Sequence, residues 1–393
     1  MYRSQFMPQA DAIGSVKFFP FMGSVMITPD GQEWLKTGLA KDKINYPVAA
    51  ATPSCQVVGN AAPTYIGGDI LSSATNGTGT IVIVPTSGGG TNLWVSTNYG
   101  ATWATVAHNL GQTAKSVAYN GTTWVVVANT AANLVVSTST NPASTWTLAG
   151  NVLSIQGGGA AADTASICWD STNSRFIAVT AGGSATNAAG YSSNGTSWTG
   201  VNLSSTLGGT TSIAVNGGTI LACCYSTGVV NKSVNGGTSW TAAANSGTNY
   251  SNIVAASGKF FRAYSSISFY YTTDGTTWTA GGLPEAGASS STSNQTLVSD
   301  GTTVFFNSGA LKIVGSTTDG ISFVYKGANF NQTAGGTSIA CGGTNKIFCY
   351  GISTTNMYTQ NYNTCDYVGS VTSIYHSNTT YDHRQLVAYI RIK

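Results

Sequence analysis

Acid–base chemistry in this chain has few carboxylates to draw on. Its only glutamates are Glu33 and Glu285, and the aspartates able to supply a facing pair are Asp163, Asp170, Asp300 and Asp366. Most glycosidases need two such carboxyl groups across the scissile bond. Asp170 in "WDSTN" and Asp300 in "SDGTT" instead occupy turn sequences, where an aspartate is wanted to bond its own backbone. The three histidines, His108, His376 and His383, have no metal-ligand spacing, although His376 and His383 fall in one turn region. The glycine-rich pieces at 88–91 and 157–160 do not lie between a strand and a helix, so they read as loops and not phosphate cradles.

Seven cysteines again show no metal spacing. Cys168, Cys223, Cys341 and Cys349 lie within apolar strand patterns, where a thiol behaves as a small hydrophobe. Cys223 and Cys224 are adjacent in one strand, which sends their side chains to opposite faces. These readings assign no catalytic residue, no metal site and no cofactor.

Composition explains where the elements must come from. Only 7% of the 393 residues are charged, against roughly 25% in an average soluble domain, while 42% are hydrophobic and 10% aromatic. Such a chain folds, and its glycine and β-branched content makes it β-rich. The net charge of +3 is scattered, with Lys36, Lys41 and Lys43 the nearest approach to a basic stripe, so nucleic acid is not an expected partner. No apolar run reaches the roughly 18 residues of a membrane span, and "MYRSQFMPQADAIG" lacks the apolar region of a secretory signal. Synthesis in the cytoplasm without export is the expectation.

One short unit recurs along the chain. It reads "TPDGQEW" with Asp30 and Trp34, "STNYGATW" with Asn98 and Trp103, and "SSNGTSW" with Asn194 and Trp198. Further copies are "SVNGGTSW" with Asn235 and Trp240, "TTDGTTW" with Asp274 and Trp278, and "TTDGISF" with Asp319 and Phe323. A copy with an enlarged turn ends at Trp146, and a degenerate one ends at Cys365. Each is a strand, a tight turn and a second strand, with the aromatic packed behind the turn. Ahead of each from Trp103 onward lies another hairpin, starting at 116, 166, 212, 252, 296 and 338, with a looser version at 70–84. Four short strands every forty-odd residues is the period of a β-propeller blade.

The unit resembles the Asp-box, or BNR, repeat of sialidases, sortilin-type receptors, photosystem assembly factors and many phage proteins, over at least residues 65–366. That resemblance implies that the Asp or Asn braces the turn and that the Trp packs between strands. Sialidases add an arginine triad, an Arg-Ile-Pro motif, and a tyrosine paired with a glutamate. This chain has no Arg-Ile-Pro, and its five arginines are Arg3, Arg175, Arg262, Arg384 and Arg391. Arg175 and Arg262 read as equivalent strand-end positions. A substrate clamp is therefore not expected, and neither is enzyme activity.

The expected fold is an all-β single propeller of four-stranded blades. Residues 1–24 form an N-terminal segment, 25–37 the outer hairpin of a closing blade, and 38–64 an excursion. Residues 65–366 supply seven blades and 367–393 the C-terminal strands that complete the closing one. Eight blades result if the ends share a blade; the alternative is seven blades and a small terminal domain. "PDGQEWLKTG" with "INYPVAA" and a terminal "YIRIK" is similar to the ends of tailed-phage tail fibre and tail-associated proteins. This resemblance implies a non-enzymatic virion protein on the phage tail. Its implied partners are other virion tail proteins and a bacterial surface polysaccharide or protein receptor. A glycan-degrading propeller enzyme and a bacterial assembly or surface protein are the alternatives. Aromatic residues outside the repeat, Trp94, Trp124, Trp169, Tyr264, Phe269, Tyr270 and Tyr271, are either core or sugar-stacking surfaces.

Overall fold

Apolar runs such as "WVVVA" at 124–128 are longer than a half-exposed strand would carry, because both faces are buried. Trp124, Val126 and Ala128 point into one core cluster, while Val125 and Val127 point into another. Each of these two clusters lies between two successive sheets, so the sheet that carries 124–128 is a slice of core covered on both sides. Cys223 and Cys224 follow the same alternation, into opposite clusters.

A computed structural model describes residues 70–85, 91–100, 102–130, 132–154, 165–181, 184–209, 211–224, 228–243, 252–263, 269–281, 297–308 and 313–326. It also describes the strands Val16–Pro20, Val25–Ile27, Glu33–Leu39, Thr337–Cys341, Lys346–Gly351, Met357–Asn361, Val371–Thr372 and Leu386–Arg391. The excursion 38–64 lies outside these, apart from the end of Glu33–Leu39. So do Asp163, Asp366, His376 and His383. Among the described residues every regular element is a strand, arranged in eight antiparallel sheets.

The first sheet is Ile70–Thr75, Ile81–Pro85, Asn92–Ser96 and Ala104–Ala107. The second is Ser116–Tyr119, Trp124–Asn129, Asn133–Ser139 and Thr147–Ser154. The third is Ala165–Asp170, Arg175–Thr180, Ala189–Ser192 and Thr199–Val201. The fourth is Thr211–Asn216, Thr219–Cys224, Val230–Ser233 and Thr241–Ala243. The fifth is Val254–Ala256, Lys259–Ala263, Phe269–Thr272 and Thr279–Ala280. The sixth runs Leu297–Ser299, Val304–Ser308, Ile313–Thr317 and Val324–Lys326, with Val371–Thr372 as a fifth strand. The seventh has three strands, Thr337–Cys341, Lys346–Gly351 and Met357–Asn361. A terminal sheet orders Val16–Pro20, Leu386–Arg391, Glu33–Leu39 and Val25–Ile27.

The first strand of each numbered sheet packs against the first strand of the next, and the strand at 337–341 returns to the strand at 70–75. At that seam the Cys341 N–H donates to Ser73 Oγ over 3.2 Å. Similar side chains stitch four of the other inner edges. Ser72 Oγ accepts from Val117 N–H at 3.3 Å, and Ser116 Oγ from Ile167 N–H at 3.3 Å. Ser212 Oγ accepts from Ile253 N–H at 3.0 Å. Asn252 bonds both the N–H and the carbonyl of Leu297, at 2.8 and 2.7 Å. An exposed strand edge invites pairing with another chain; here short polar side chains occupy it.

Two expectations are corrected. Neither seven nor eight four-stranded blades are seen, because six of the described sheets have four strands. The physical reason is that the stretch 370–393 divides: Val371–Thr372 extends the sixth sheet and Leu386–Arg391 enters the terminal sheet. Val16–Pro20, within the N-terminal segment, is a strand of that same sheet. Finally, the circuit of inner strands closes directly between 337–341 and 70–75, without a blade built from the chain ends.

Candidate functional site

The repeated turns are regular polar structures among the described residues. In "SSNGTSW", Ser192 Oγ donates to Asn194 Oδ1 at 3.0 Å and accepts the Gly195 N–H at 2.8 Å. Asn194 Oδ1 then accepts the N–H groups of Thr196 and Ser197, both at 2.9 Å. The same arrangement recurs at Ser96 and Asn98, Ser233 and Asn235, Thr272 and Asp274, and Thr317 and Asp319. Sequence reasoning identified the Asn and Asp but missed the buried hydroxyl two residues earlier. Its signal was present, since every copy carries Ser or Thr there.

Among the described turns, Asp274 and Asp319 are the charged members. Hydrogen bonds from the Thr276 hydroxyl and N–H, from Thr277 N–H and from Thr272 hold the Asp274 carboxyl below the ordinary carboxylate range. Partial burial pushes Asp319 up, but donors at Ile321, Ser322 and Thr317 outweigh it and hold that carboxyl low as well.

In four of these turns a glycine meets the preceding sheet. Gly195 faces Val125, Gly237 faces Ile177, Gly275 faces Leu221 and Gly320 faces Phe261, each with φ between 73° and 80°. Behind the turn the aromatics differ in burial. Trp146, Trp240 and Phe323 are buried, whereas Trp103, Trp198 and Trp278 keep part of their surface in water. Trp198 Nε1 donates to Gly195 O at 2.9 Å, and Trp146 Nε1 to Pro142 O at 3.1 Å. Trp34 lies in a described strand and Asp30 outside the described residues.

Cations serve the same joints. Arg175 stacks 4.5 Å above Tyr191 and reaches Gly236 O at 3.5 Å in the next turn. Lys259 stacks 4.5 Å above Tyr271 and reaches Asp319 O at 3.2 Å in the next turn. Lys259, and not Arg262, is therefore the counterpart of Arg175. Arg262 lies three residues further along its strand, buried, with Nη2 on Cys224 O at 3.3 Å.

The remaining candidate residues that are described have the following surroundings. Asp170 is buried and accepts from Thr172 N–H at 3.0 Å and Asn173 Nδ2 at 2.7 Å. Asp300 accepts from the N–H groups of Thr302 and Thr303, at 2.9 and 2.7 Å. His108 is buried, its Nδ1 accepting Leu110 N–H at 3.2 Å. Burial, and secondarily Asp170, pushes the Cys168 thiol up; burial pushes Cys223 up to about 11. Phe269 packs against Phe306 and Phe323, and Trp94 and Trp124 are buried, while Trp169 and Tyr270 remain partly exposed. Among the described residues no three His, Cys, Asp or Glu side chains gather as metal ligands, and no helix is long and apolar enough to cross a membrane.

Several solved structures share this arrangement of sheets. A structure described as YCF48 bound to D1 peptide is 12% identical, with a TM-score of 0.54 over 76% of this chain and 93% of that one. The chain is a β-propeller. The propeller is also similar to selenomethionine-substituted virginiamycin B lyase from Staphylococcus aureus, with 11% identity, a TM-score of 0.55, and coverage of 77% of this chain and 96% of the other. The GH74 enzyme of Niastella koreensis is 18% identical with a TM-score of 0.51, covering 76% of this chain and 44% of that one. Identities this low establish the fold alone. No family model matches the propeller, and no curated protein does.

Proposed function

We propose that this propeller is a non-enzymatic recognition module of a phage virion, carried on the tail or tail fibre and directed at a bacterial surface polysaccharide or protein receptor. The observation that carries the non-enzymatic reading is the fate of the described aspartates. Asp170, Asp274, Asp300 and Asp319 are each held by the backbone N–H groups of their own turns. Hydrolysis of a glycosidic bond needs carboxyl groups facing each other across substrate. Arg175 and Lys259 likewise serve joints between sheets. Meanwhile the turns expose Tyr99, Val234 and Ile321 to solvent, and in this reading they are apolar contact points for the receptor.

The virion assignment rests on the terminal sequences and on their placement. Strands from both chain ends meet in one sheet, while the inner-strand circuit closes without them. In this reading the ring is built on Asp-box turns, and the terminal sheet is the attachment to other tail proteins.

The test is direct. Fluorescently labelled protein is incubated with a panel of bacterial strains and with mutants lacking surface polysaccharide. Strain-specific binding that disappears with the polysaccharide, without release of reducing sugar, supports the reading. Sugar release overturns the non-enzymatic part, and no binding to any strain overturns recognition in favour of a purely structural role.

A further inference from the structure

We propose that Asn216–Gly217 is a spontaneous modification site of this protein, deamidating while the chain's other Asn-Gly pairs are protected by the fold. Five such pairs occur, at Asn76, Asn120, Asn194, Asn216 and Asn235. Deamidation requires the asparagine carboxamide to rotate until its Cγ faces the next backbone nitrogen. That nitrogen loses its proton and attacks Cγ, forming a C–N bond. The bond from Cγ to Nδ2 breaks, and the nitrogen leaves as ammonia with the released proton. Water then opens the resulting succinimide at either carbonyl, leaving aspartate or isoaspartate.

Four of the five carboxamides are pinned against that rotation. Asn76 Oδ1 accepts from Thr78 and Thr80 N–H, and Asn120 Oδ1 from Thr122 and Thr123 N–H. Asn194 Oδ1 holds Thr196 and Ser197 N–H, and Asn235 Oδ1 holds Ser239 N–H while its Nδ2 donates to Ser239 Oγ. In two of these the attacking nitrogen is itself engaged: Gly77 N–H donates to Thr75 Oγ1 and Gly195 N–H to Ser192 Oγ.

Asn216 differs. It is partly exposed at the end of its strand, pairs through its backbone with Thr219, and its side chain makes no hydrogen bond among the described residues. Gly217 is exposed with φ 55°, followed by Gly218 at φ 81°, the two-glycine tip of a tight hairpin. That tip lies beside Thr172 and Asn173 of the preceding sheet. Reaction there adds a carboxylate next to the turn that Asp170 braces, and the isoaspartate product adds a methylene to the backbone.

The experiment incubates the intact protein at mildly alkaline pH, well below its melting temperature, and follows all five sites by peptide mass spectrometry. A parallel sample is held in denaturant. The expected result is that the Asn216 peptide gains one mass unit severalfold faster than the others in the folded protein. It also splits into two species, one a substrate for isoaspartyl methyltransferase. In denaturant the five rates converge. Another site leading in the folded protein, or one ranking with equal rate ratios in both samples, overturns the proposal.

Discussion

Gly275 lies against Leu221 so closely that a Cβ built on the glycine would stand 2.4 Å from Leu221 Cδ2. The glycine belongs to the turn of the fifth sheet and the leucine to the second strand of the fourth. One residue thus meets two demands, a φ of +73° and contact with the neighbouring sheet. Gly275→Ala is expected to destabilise by about 2 to 4 kcal/mol, combining left-handed strain with overpacking. Denaturant midpoints of G275A, L221A and the double variant measure the packing part. If that part is real, the double variant loses less than the sum of the singles.

The buried hydroxyl of each turn predicts a graded series. Ser192→Ala leaves the Gly195 N–H without its acceptor and is expected to cost about 1 to 3 kcal/mol. Ser192→Thr keeps the oxygen, as Thr272 and Thr317 do in their copies, and is expected to cost much less. Equal thermal midpoints for the two variants would remove the hydroxyl from the account.

Asp274 and Asp319 make stability depend on acid. Both carboxyls are held below their unfolded values of about 4, so the stability they contribute is complete above that pH. It is lost as pH falls through the folded-state values. Asparagine fills the same place in three other turns, so Asp274→Asn with Asp319→Asn preserves the bracing oxygen. Urea midpoints of this double variant are expected to fall less steeply than the parent's below about pH 4. Parallel curves would show that the acid loss arises elsewhere.

The aromatic residues behind the turns are not equivalent. Trp240 is 8% exposed within the core between the third and fourth sheets, and Trp240→Ala is expected to cost about 3 to 5 kcal/mol. Trp278 keeps more of its surface in water and is expected to cost less on the same substitution. Chemical denaturation of the pair ranks them, and a larger loss at Trp278 would contradict the packing described.

Removing residues 373–393 deletes Leu386–Arg391 and unpairs the terminal sheet, yet leaves the seam between Ser73 and Cys341 intact. The truncated protein is expected to keep the parent's oligomeric state in size-exclusion chromatography, with its main unfolding transition retained. Aggregation with loss of that transition would mean that the terminal sheet closes the ring.

Much of this architecture was legible in the chain itself. Alternation at 124–128, turn residues at fixed spacing and an aromatic after each turn specify hairpins, because they act within one sheet and over a few residues. The bracing roles of Asn194 and Asp274 belong to the same local order, and so did the hydroxyls that were overlooked. What only the tertiary structure decided involves residues distant in sequence. Lys259 and Arg262 are both cations of one strand, and their roles depend on which of them reaches the next sheet's turn. The glycines read as turn formers also answer to Val125, Ile177, Leu221 and Phe261, side chains from another repeat. The two chain ends were complementary enough to suggest an eighth blade, but complementarity of short strands does not say where their sheet belongs. That was settled by non-local contact between 337–341 and 70–75, which lie side by side and are joined through Ser73 Oγ, while the terminal strands pair with one another.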